Sequence, residues 1–354
     1  MDKFERRRKR VRRKMQEENI EYILISGAFN RFYLSGFELG DPQCNESAGY
    51  LLLGQDEACI FTDPRYEQAA VKCMSDKNVV VYRQNKYAVL AEYLKRNNIE
   101  KLFFEPEHMS CATYFKFEEQ NIALAPADRL FVEKIRMIKE EDEIAALETS
   151  CALNHKVFKQ IEEFLRPGIS EKELAWEVER LYRQQGAEAL SFPTIAAFGP
   201  NAALPHAVPG DIRLEDNNIV LLDMGCRLND YCSDQTRTFY VGSEDQEFNR
   251  VKDRVIKAQK SAVRQIKPEM EIKDAYFIAR DYFKEYGVDE YFTHALGHGI
   301  GLETHEPPSI SPVAKGRFEA GMVVTVEPGL YYNGWGGVRW ENMICVEEHG
   351  ARIL

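Results

Sequence analysis

Two stretches in the second half of the chain place carboxylates beside runs of apolar residues, and this arrangement limits how the chain can fold. The stretches are VLLDMGCRLNDYCSDQTRTFYV and GMVVTVEPGLYYNGWGGVRWENMICV. In both, residues that favour β-structure flank a polar or glycine-rich turn, which predicts a β-hairpin. An unpaired charge beside buried strands is costly. We therefore expect the acidic residues of these hairpins to share a partner.

The turn positions predict which carboxylates face each other. If residues 227–230 form the first loop, Asp223 lies opposite Asp234, with Cβ atoms about 4.5 to 5.5 Å apart. A second loop centred on Gly334 places Glu327 opposite Glu341 in the same way. Carboxylates this close repel each other unless a cation lies between them. From spacing alone, the alternative that they are independent core or turn residues stays open.

The segment between the hairpins, THALGHGIGLETHEPP, contains three of the seven histidines, His294, His298 and His305. Its glycines make a helix improbable, which argues against two histidines on one helical face. Four carboxylates and one imidazole form a donor set that suits manganese, cobalt, iron or zinc. So much negative charge favours two divalent ions, ~3.5 to 4 Å apart.

A chain of 354 residues is somewhat long for a single domain, so we expect two domains. Short apolar strands separated by helical stretches predict a compact α/β domain over residues 1–128. The second domain, 129–354, begins with helices near 140–165 and 171–185, and further helices near 246–266 and 271–286 precede the second hairpin. Ser170 and Glu173 in SEKE predict a capping box at the second of these helices.

Composition argues against several classes of protein. The net charge of -11 disfavours a nucleic-acid binder. We interpret the basic block MDKFERRRKRVRRKM as the solvated face of a first helix that buries Phe4, Val11, Met15 and Ile20, although a nucleic-acid-binding arm is the alternative. No apolar run is long enough to cross a membrane, and the N-terminus is too charged for a secretory signal, so we expect a cytoplasmic protein. Eight cysteines without a CxxC pair predict reduced core residues.

Several motifs together resemble a known family. LLDMGCRLNDYCSDQTRTF, THALGHGIGLETHE, TVEPGLYY and GGVRWEN, with FGPNAALPHAVPG upstream, are similar to the motif series of the methionine aminopeptidase, prolidase and aminopeptidase P metallopeptidases. The opening FERRRKRVRRKMQEENIEYILISGAFNRFYLSGF resembles a creatinase-type N-terminal domain. The resemblance covers nearly the whole chain. It implies an α+β pita-bread catalytic domain preceded by a smaller α/β creatinase-type domain.

The resemblance also implies a dinuclear metal site, residue by residue. Asp223 would bind one ion, His298 and Glu327 the second, and Asp234 and Glu341 would bridge both. Manganese is favoured, with cobalt, zinc and iron as alternatives. The ions would activate a water to attack a peptide carbonyl. Glu327 would also pass a proton from that water to the leaving amine.

Other residues match substrate-side positions of the family. His206 and His305 match histidines that contact the scissile peptide and stabilise the charge of the tetrahedral intermediate. His294 matches a residue of the pocket beside the metals, and Arg339 a site arginine. The alternatives are a loop position for His206, a structural hydrogen bond for His294 and a carboxylate partner for Arg339. Three histidines without a motif are read as surface or packing residues: His108, His155 and His349.

The resemblance implies peptide substrates with proline at the second position, and a homodimer. Prolidases of similar length tend to have an arginine where this chain has Ser309. Losing a contact with the dipeptide's carboxylate should cost roughly 1.5 to 3 kcal/mol, so the sequence favours an Xaa-Pro aminopeptidase over an Xaa-Pro dipeptidase. A non-catalytic peptide-binding relative is a further alternative, against which the full ligand set argues. Trp340 and Asn342, in RWEN where RIED is usual, remain unexplained by the sequence.

Overall fold

The computed structural model describes residues 2–37 and 47–354. The chain divides into two compact units, unit 1 (Met1–Ile135) and unit 2 (Arg136–Leu354). The division falls after Ile135, a few residues beyond the sequence-based boundary at residue 128.

Within its described residues, unit 1 forms one mixed sheet with helices. Its strands are β1 (Tyr22–Ile25), β2 (Gly49–Gly54), β3 (Ala58–Thr62), β4 (Val79–Val81), β5 (Lys101–Phe104) and β6 (Ala123–Pro126). Its helices are α1 (Lys3–Glu17), α2 (Ala28–Ser35), α3 (Glu67–Cys73), α4 (Lys86–Arg96) and α5 (Cys111–Glu118). The sheet order is β4-β3-β2-β1-β5-β6. The strands predicted from the apolar runs are present, and the predicted α/β character is confirmed.

The basic block forms helix α1, as predicted, but its arginines are not a solvated face, since Arg7 is buried, and Phe4 is only half-buried. Val11 and Met15 on one face are completely buried. The arginines on its other faces bind carbonyl oxygens of the same unit: Arg8 donates to the oxygen of Leu34 at 2.7 Å, and Arg12 to that of Gly54 at 2.9 Å. Arg8 therefore attaches α1 to helix α2, and Arg12 attaches it to strand β2 of the sheet.

Unit 2 contains two pairs of long helices and several small sheets. A short helix, α6 (Glu133–Arg136), spans the division, and α7 (Glu141–Ile161), α8 (Glu171–Gln184), α9 (Gln246–Gln265) and α10 (Ile272–Lys284) follow. The strands are β7 (Ala189–Leu190), β8 (Ile195–Phe198), β9 (Asn218–Met224), β10 (Cys226–Leu228), β11 (Tyr231–Cys232), β12 (Gln235–Val241), β13 (Gly297–Gly299), β14 (Glu306–Ile310), β15 (Val323–Val326), β16 (Gly329–Tyr332), β17 (Gly336–Arg339), β18 (Asn342–Glu347) and β19 (Gly350–Ile353).

Each helix pair of unit 2 has its own apolar core. Helices α7 and α8 pack on β8 and β9 through residues such as Val157, Leu174 and Val220. Helices α9 and α10 pack with β15 and β18 through residues such as Val255 and Ile344. The predicted capping box at the start of α8 is present. The two cores hold the hairpins that carry the acidic residues.

The first hairpin differs from its predicted register. Asn229 and Asp230 form a two-residue turn, with φ angles of 52° and 69°, where a four-residue loop was predicted. Asp223 consequently pairs with Thr236, so the prediction that it lies opposite Asp234 is wrong. The shift is two residues, and side chains repeat on a strand face every two residues. Asp234 therefore stays on the same side as Asp223, as its diagonal neighbour.

The second hairpin has the predicted register. Gly329 pairs with Arg339 across β16 and β17, around a turn at Gly334. The neighbouring pair, Val326 and Asn342 of β15 and β18, continues the same register. Glu327 and Glu341 lie between these two ladders. The prediction from the position of Gly334 is therefore confirmed on both sides of the acidic pair.

The histidine-rich segment is not helical, as its glycines predict. His298 lies in β13, which pairs with β14 and has a register shift between His298 and Gly299. A Cβ at Gly297 would lie 2.0 Å from the carbonyl oxygen of Thr325, and one at Gly299 would lie 2.2 Å from that of Pro307. Only glycine permits this close approach of backbones, which brings His298 against the second hairpin.

The cysteines are only partly as predicted. Those in the described part of the chain are free, but Cys73 and Cys111 are exposed, because they lie at the solvent-facing ends of α3 and α5. The prediction that the cysteines are core residues is therefore wrong for these two, and Cys44 lies outside the described residues. Among the helices of residues 2–37 and 47–354, none has the length and apolar character needed to cross a membrane.

Candidate metal centre

Acidic residues from both hairpins converge on His298 in unit 2. Ligand atoms of Asp234, His298 and Glu341 all lie within 4.8 Å of one another. The Nε2 atom of His298 is 3.6 Å from Oδ2 of Asp234 and 3.4 Å from Oε1 of Glu327. Asp234 and Glu341 are buried, with 6% and 1% of their surface exposed. The two hairpins thus enclose a compact group of oxygen and nitrogen donors.

Asp223 faces the same group but has a cationic partner on one side. Arg339 donates to Oδ2 of Asp223 at 2.7 Å, and both residues are buried. The other oxygen, Oδ1, has no hydrogen-bond partner. Arg339 therefore neutralises part of the charge of Asp223 and leaves one oxygen available. This contact corresponds to the alternative weighed for Arg339, a carboxylate partner.

The remaining charge of the group is not balanced by hydrogen-bond donors. One buried oxygen each of Asp223, Asp234 and Glu341 has no partner in the described part of the chain. Burial and the neighbouring carboxylates raise the pKa of Asp234 and Glu341 well above the usual range. Burial also raises the pKa of Glu327 to about 7. Buried anions are stable only when paired, so this donor set fits divalent cations.

His298 is oriented to present one nitrogen to the carboxylates. Its Nδ1 atom lies 3.0 Å from the carbonyl oxygen of Gly299, so an N–H at Nδ1 donates there and the lone pair of Nε2 is left free. Burial lowers the pKa of His298, which favours the neutral form. Thr325 accepts from the backbone N–H of His298 and donates to Oε1 of Glu327, both at 3.0 Å. This hydroxyl links the backbone of His298 to the side chain of Glu327.

The residues that support the acidic group were not predicted from the sequence. Thr236 donates to Oε2 of Glu341 at 2.7 Å and accepts from Nε of Arg339 at 2.9 Å. Thr236 lies two residues after Asp234, and Thr325 two residues before Glu327. A strand places residues i and i+2 on one face, so this spacing is the signal that could have identified both threonines.

Tyr331 links Arg339 to His294. The hydroxyl of Tyr331 accepts from Arg339 and lies 2.9 Å from Nε2 of His294. Burial, together with the charge of Arg339, lowers the pKa of His294 to about 4. His294 is therefore neutral near pH 7 and is fixed in position by the Tyr331 hydroxyl.

His206 and His305 are both exposed at the edge of the group. The ring of His305 is 4.3 Å from that of His298, measured between centroids. His206 lies in a loop whose Pro205 carbonyl oxygen accepts from Arg339 at 3.1 Å. A positive charge on His206 would lower the pKa of Glu327 and of His305. The two predicted peptide-contacting histidines are thus solvent-accessible and adjacent to the acidic group.

Trp340 and Asn342 contact one arginine, Arg237. Its guanidinium lies 4.2 Å from the centroid of the Trp340 ring and donates to Oδ1 of Asn342 at 2.7 Å. Arg237 also donates to the backbone carbonyl oxygen of Glu341. Trp340 and Asn342 are therefore uncharged neighbours of Arg237, and Arg237 in turn contacts the backbone of Glu341.

Unit 1 contains a second cluster whose ligand-type atoms lie within 4.8 Å of one another. Its residues are Glu105, His108 and Glu133. Here the amide nitrogen of Asn30 lies between the carboxylates, 2.6 Å from Glu105 and 2.7 Å from Glu133. Two backbone N–H groups donate to the other oxygen of Glu105, and His108 is bonded to Glu133 at 2.5 Å. Side-chain and backbone donors thus satisfy the carboxylates of this cluster. The sequence predicts only a surface or packing position for His108, so the cluster was not predicted.

Both units match known protein families. Residues 145–348 match the model of metallopeptidase family M24. Residues 7–138 match that of the creatinase/prolidase N-terminal domain. The two matches together cover most of the chain and correspond to its two units.

Individual relatives are similar over nearly their full length. The chain is 37% identical over 342 residues to an Xaa-Pro dipeptidase of Pyrococcus furiosus, covering 96% of this chain and 94% of that one. The structure of an Xaa-Pro dipeptidase from Bacillus anthracis has a TM-score of 0.92 at 35% identity, covering 99% of this chain and 97% of the other. That of an X-Pro aminopeptidase from Thermotoga maritima has a TM-score of 0.88 at 30% identity, covering 98% and 96%. The predicted architecture, a pita-bread domain preceded by a creatinase-type domain, is confirmed.

Proposed function

The chain belongs to metallopeptidase family M24, and we propose that it hydrolyses the peptide bond of Xaa-Pro dipeptides with the help of two divalent metal ions. The observation that carries this proposal is the buried acidic group of unit 2 with its three unpartnered oxygens. The similarity of both units to Xaa-Pro dipeptidases supports the choice of substrate. Manganese as the resident ion, the homodimer and the cytoplasmic location stay predictions.

The residues that would hold the metal ions come from both hairpins and from β13: Asp223, Asp234, His298, Glu327 and Glu341. When bound, the ions would polarise the scissile carbonyl and lower the pKa of a water molecule. The unpartnered oxygens and the free Nε2 of His298 support this assignment.

Glu327 is suited to move a proton during the reaction. In the metal-free protein burial raises its pKa to about 7, so its carboxylate can be protonated near neutral pH. Thr325 donates to Oε1 of Glu327, so Oε2 is the atom we assign to proton transfer. Nearby cations would lower this pKa, which couples proton release to metal binding.

The histidines at the edge of the group would act on the substrate. His206 and His305 are accessible and could donate to the oxygen of the scissile carbonyl as negative charge develops there. His294, neutral and held by Tyr331, would line the pocket for the substrate. The contacts of Arg339 with Asp223 and Tyr331 support a role in fixing a ligand and the pocket, beside its predicted contact with substrate.

A second candidate function is that of an Xaa-Pro aminopeptidase acting on longer peptides, which the sequence analysis favoured. Ser309 is the observation behind it. Ser309 pairs directly with His298 across β13 and β14, and directly paired residues point to the same face of a sheet. An arginine at this position could approach the carboxylate of a dipeptide, whereas serine carries no charge. The named relatives nevertheless support the dipeptidase more strongly.

The two candidates predict opposite preferences. The manganese-loaded protein should be incubated with an Xaa-Pro dipeptide and with the matching Xaa-Pro-Xaa tripeptide, and kcat/KM measured for each. A higher kcat/KM for the dipeptide supports the proposed function. A clear preference for the tripeptide replaces it with the aminopeptidase, and absence of hydrolysis of both favours a non-catalytic relative.

A single substitution tests the contribution of Ser309. If this position faces the dipeptide carboxylate, Ser309→Arg should raise the dipeptide-to-tripeptide ratio of kcat/KM by about ten- to a hundredfold. Ser311→Arg, which adds the same charge after the end of β14, is the matched control. An equal effect of both variants would show that the added charge acts non-specifically.

A further inference from the structure

A buried ion cluster lies at the beginning of unit 2, and we call it the Glu306 cluster (Arg136, Lys139, Glu303 and Glu306). Arg136 donates to Oε1 of Glu306, and to Oε2 of Glu303 at 2.9 Å. Lys139 donates to Oε2 of Glu306 at 3.0 Å. Each oxygen of Glu306 is therefore bonded to its own cation. Arg136, Lys139 and Glu306 are each at most 5% exposed.

The charges of this cluster are fixed. Although burial alone would raise it, the charges of Arg136 and Lys139 lower the pKa of Glu306 to about 2, so this carboxylate stays ionised at all working pH values. A buried ion pair often contributes less stability than an apolar replacement, because desolvation offsets the attraction. What such a pair does supply is a defined geometry.

The loop before Glu306 is built around its carboxylate. The backbone N–H of Glu303 donates to Oε1 of Glu306 at 3.1 Å. A Cβ at Gly301 would lie 2.8 Å from the same carboxylate oxygens, so only glycine fits there. His305 is the residue directly before Glu306, and its ring is 4.3 Å from that of His298. The carboxylate thus fixes the backbone from which the His305 ring projects.

The segment that carries these cations is attached to the start of β15, the strand that ends directly before Glu327. The backbone N–H of Lys139 donates to the carbonyl oxygen of Gly321 at 2.9 Å. Ile138 forms a β-bridge with Met322, and β15 begins at the next residue and ends directly before Glu327. The segment 136–139 therefore bonds both to the loop that carries His305 and to the start of the strand that precedes Glu327.

We propose that Glu306, held between Arg136 and Lys139, is a positioning residue that fixes His305 relative to Glu327 and to the scissile peptide. This inference rests on the proposed function, in which His305 contacts the substrate. Glu306 itself does not contact the substrate. It acts through the backbone of its neighbour, where a displacement of about 1 Å can cost a hundredfold in rate.

A double-mutant cycle tests the proposal. The variants are Glu306→Gln, His305→Ala and both together, assayed as manganese-loaded protein with the better of the two Xaa-Pro peptides. Glu306→Gln should lower kcat about ten- to a hundredfold and change KM by less than about threefold. In the His305→Ala background the same change should lower kcat by less than about threefold, because coupled residues are not additive. Equal effects in both backgrounds would overturn the proposal.

Further variants separate positioning from loss of stability. Lys139→Met removes one of the two cations and should reproduce a smaller loss of kcat if Glu306→Gln does not fold. Glu143→Gln, which changes another buried carboxylate of unit 2, is the matched control. It should lower the melting temperature without a comparable change in kcat. A loss of kcat that follows the melting temperature in all variants would contradict the proposal.

A measurement without turnover distinguishes this inference from the proposed function. In protein with isotopically labelled histidine, the ring signals of His305 are identified by their loss in His305→Ala. Glu306→Gln should shift or broaden these signals and leave those of His294 unchanged. If the protein hydrolyses no Xaa-Pro peptide, the proposed function fails while this result still decides the positioning role. Unchanged His305 signals in Glu306→Gln would overturn it.

Discussion

Both units bury carboxylates around a histidine. In unit 1 hydrogen-bond donors bind these carboxylates, whereas in unit 2 several carboxylate oxygens have no donor among the described residues. In unit 1 the Asn30 amide bonds to Glu105 and Glu133. Although burial alone would raise it, hydrogen bonds from His108 and Asn30 lower the pKa of Glu133. In unit 2, Asp234 and its neighbours keep oxygens without partners. Proximity of ligand-type side chains is therefore not enough to indicate a metal site; the presence or absence of competing donors distinguishes the two clusters.

The largest effect is expected from removing one charge of the unit 2 group. Asp234→Asn keeps the shape of the side chain but replaces a predicted bridging oxygen with an amide. We expect kcat/KM to fall at least about a thousandfold, because metal polarisation contributes several kcal/mol. Metal content per chain, measured by mass spectrometry, should fall as well. Asp230→Asn in the turn of the same hairpin is the control, and unchanged metal content in Asp234→Asn would refute the site.

The second prediction concerns the pH dependence of the metal-free protein. Because the pKa of Glu327 is raised from 4.5 to about 7, the folded state binds more protons than the unfolded state in the pH window between these two values. Stability from this group is therefore lost as pH rises through the window. Glu327→Gln cannot titrate, so its stability relative to the parent should rise by about 1 to 3 kcal/mol between pH 5 and 8.

Urea unfolding of chelator-treated protein at both pH values measures this difference. Excess manganese should reduce it, since bound cations would neutralise the carboxylates of the parent. A difference between parent and Glu327→Gln that does not change with pH would show that the carboxylate is not protonated in the folded protein.

An effect confined to stability is expected in unit 1. Glu105→Gln replaces one oxygen of the carboxylate with a donor that cannot accept from Asn30 or from the backbone N–H groups. The free energy of unfolding should fall by about 1 to 3 kcal/mol, with kcat/KM and metal content unchanged within about threefold. Glu107→Gln, nearby and less buried, is the control. Loss of metal from Glu105→Gln would mean that unit 1 also binds an ion.

The smallest effect is expected from converting the unit 1 cluster into one that resembles unit 2. Asn30→Asp replaces the bridging donor by a third carboxylate. When the unit 2 site is disabled by Asp234→Asn, manganese should raise the melting temperature of the Asn30→Asp protein by about 3 °C or more, through preferential binding to the folded state. The Asp234→Asn single variant should not respond. A lack of response in both would show that more than the donor pattern distinguishes the clusters.

The parts predicted correctly from the sequence depend on local spacing. The glycine at 334 centres the second hairpin and correctly predicts the register around Glu327 and Glu341. The first hairpin failed because Asn229 and Asp230 both adopt positive φ and close the turn in two residues. Both residue types tolerate this conformation, so a shorter loop was equally compatible with the sequence. The predicted register was wrong by two residues. Because this number is even, the acidic residues still lie on one face.

The parts that were missed depend on contacts between distant segments. Glu133 of unit 1 lies 25 positions after His108, although Glu105 is only three positions before it. Arg136 reaches Glu306 across 170 positions of the chain. Local periodicity carries no information about such pairs. Thr236 and Thr325 are an intermediate case, since each lies two residues from a predicted ligand and could have been found from strand alternation.

The contacts of Arg136 and Lys139 have a practical consequence for isolating the catalytic half. The match to the M24 family begins at residue 145, and a truncated chain started there for expression would lack both cations. Glu306 would then be a buried carboxylate without its two basic partners, which is expected to cost about 3 to 5 kcal/mol. A fragment intended to fold and crystallise alone should therefore start no later than residue 136.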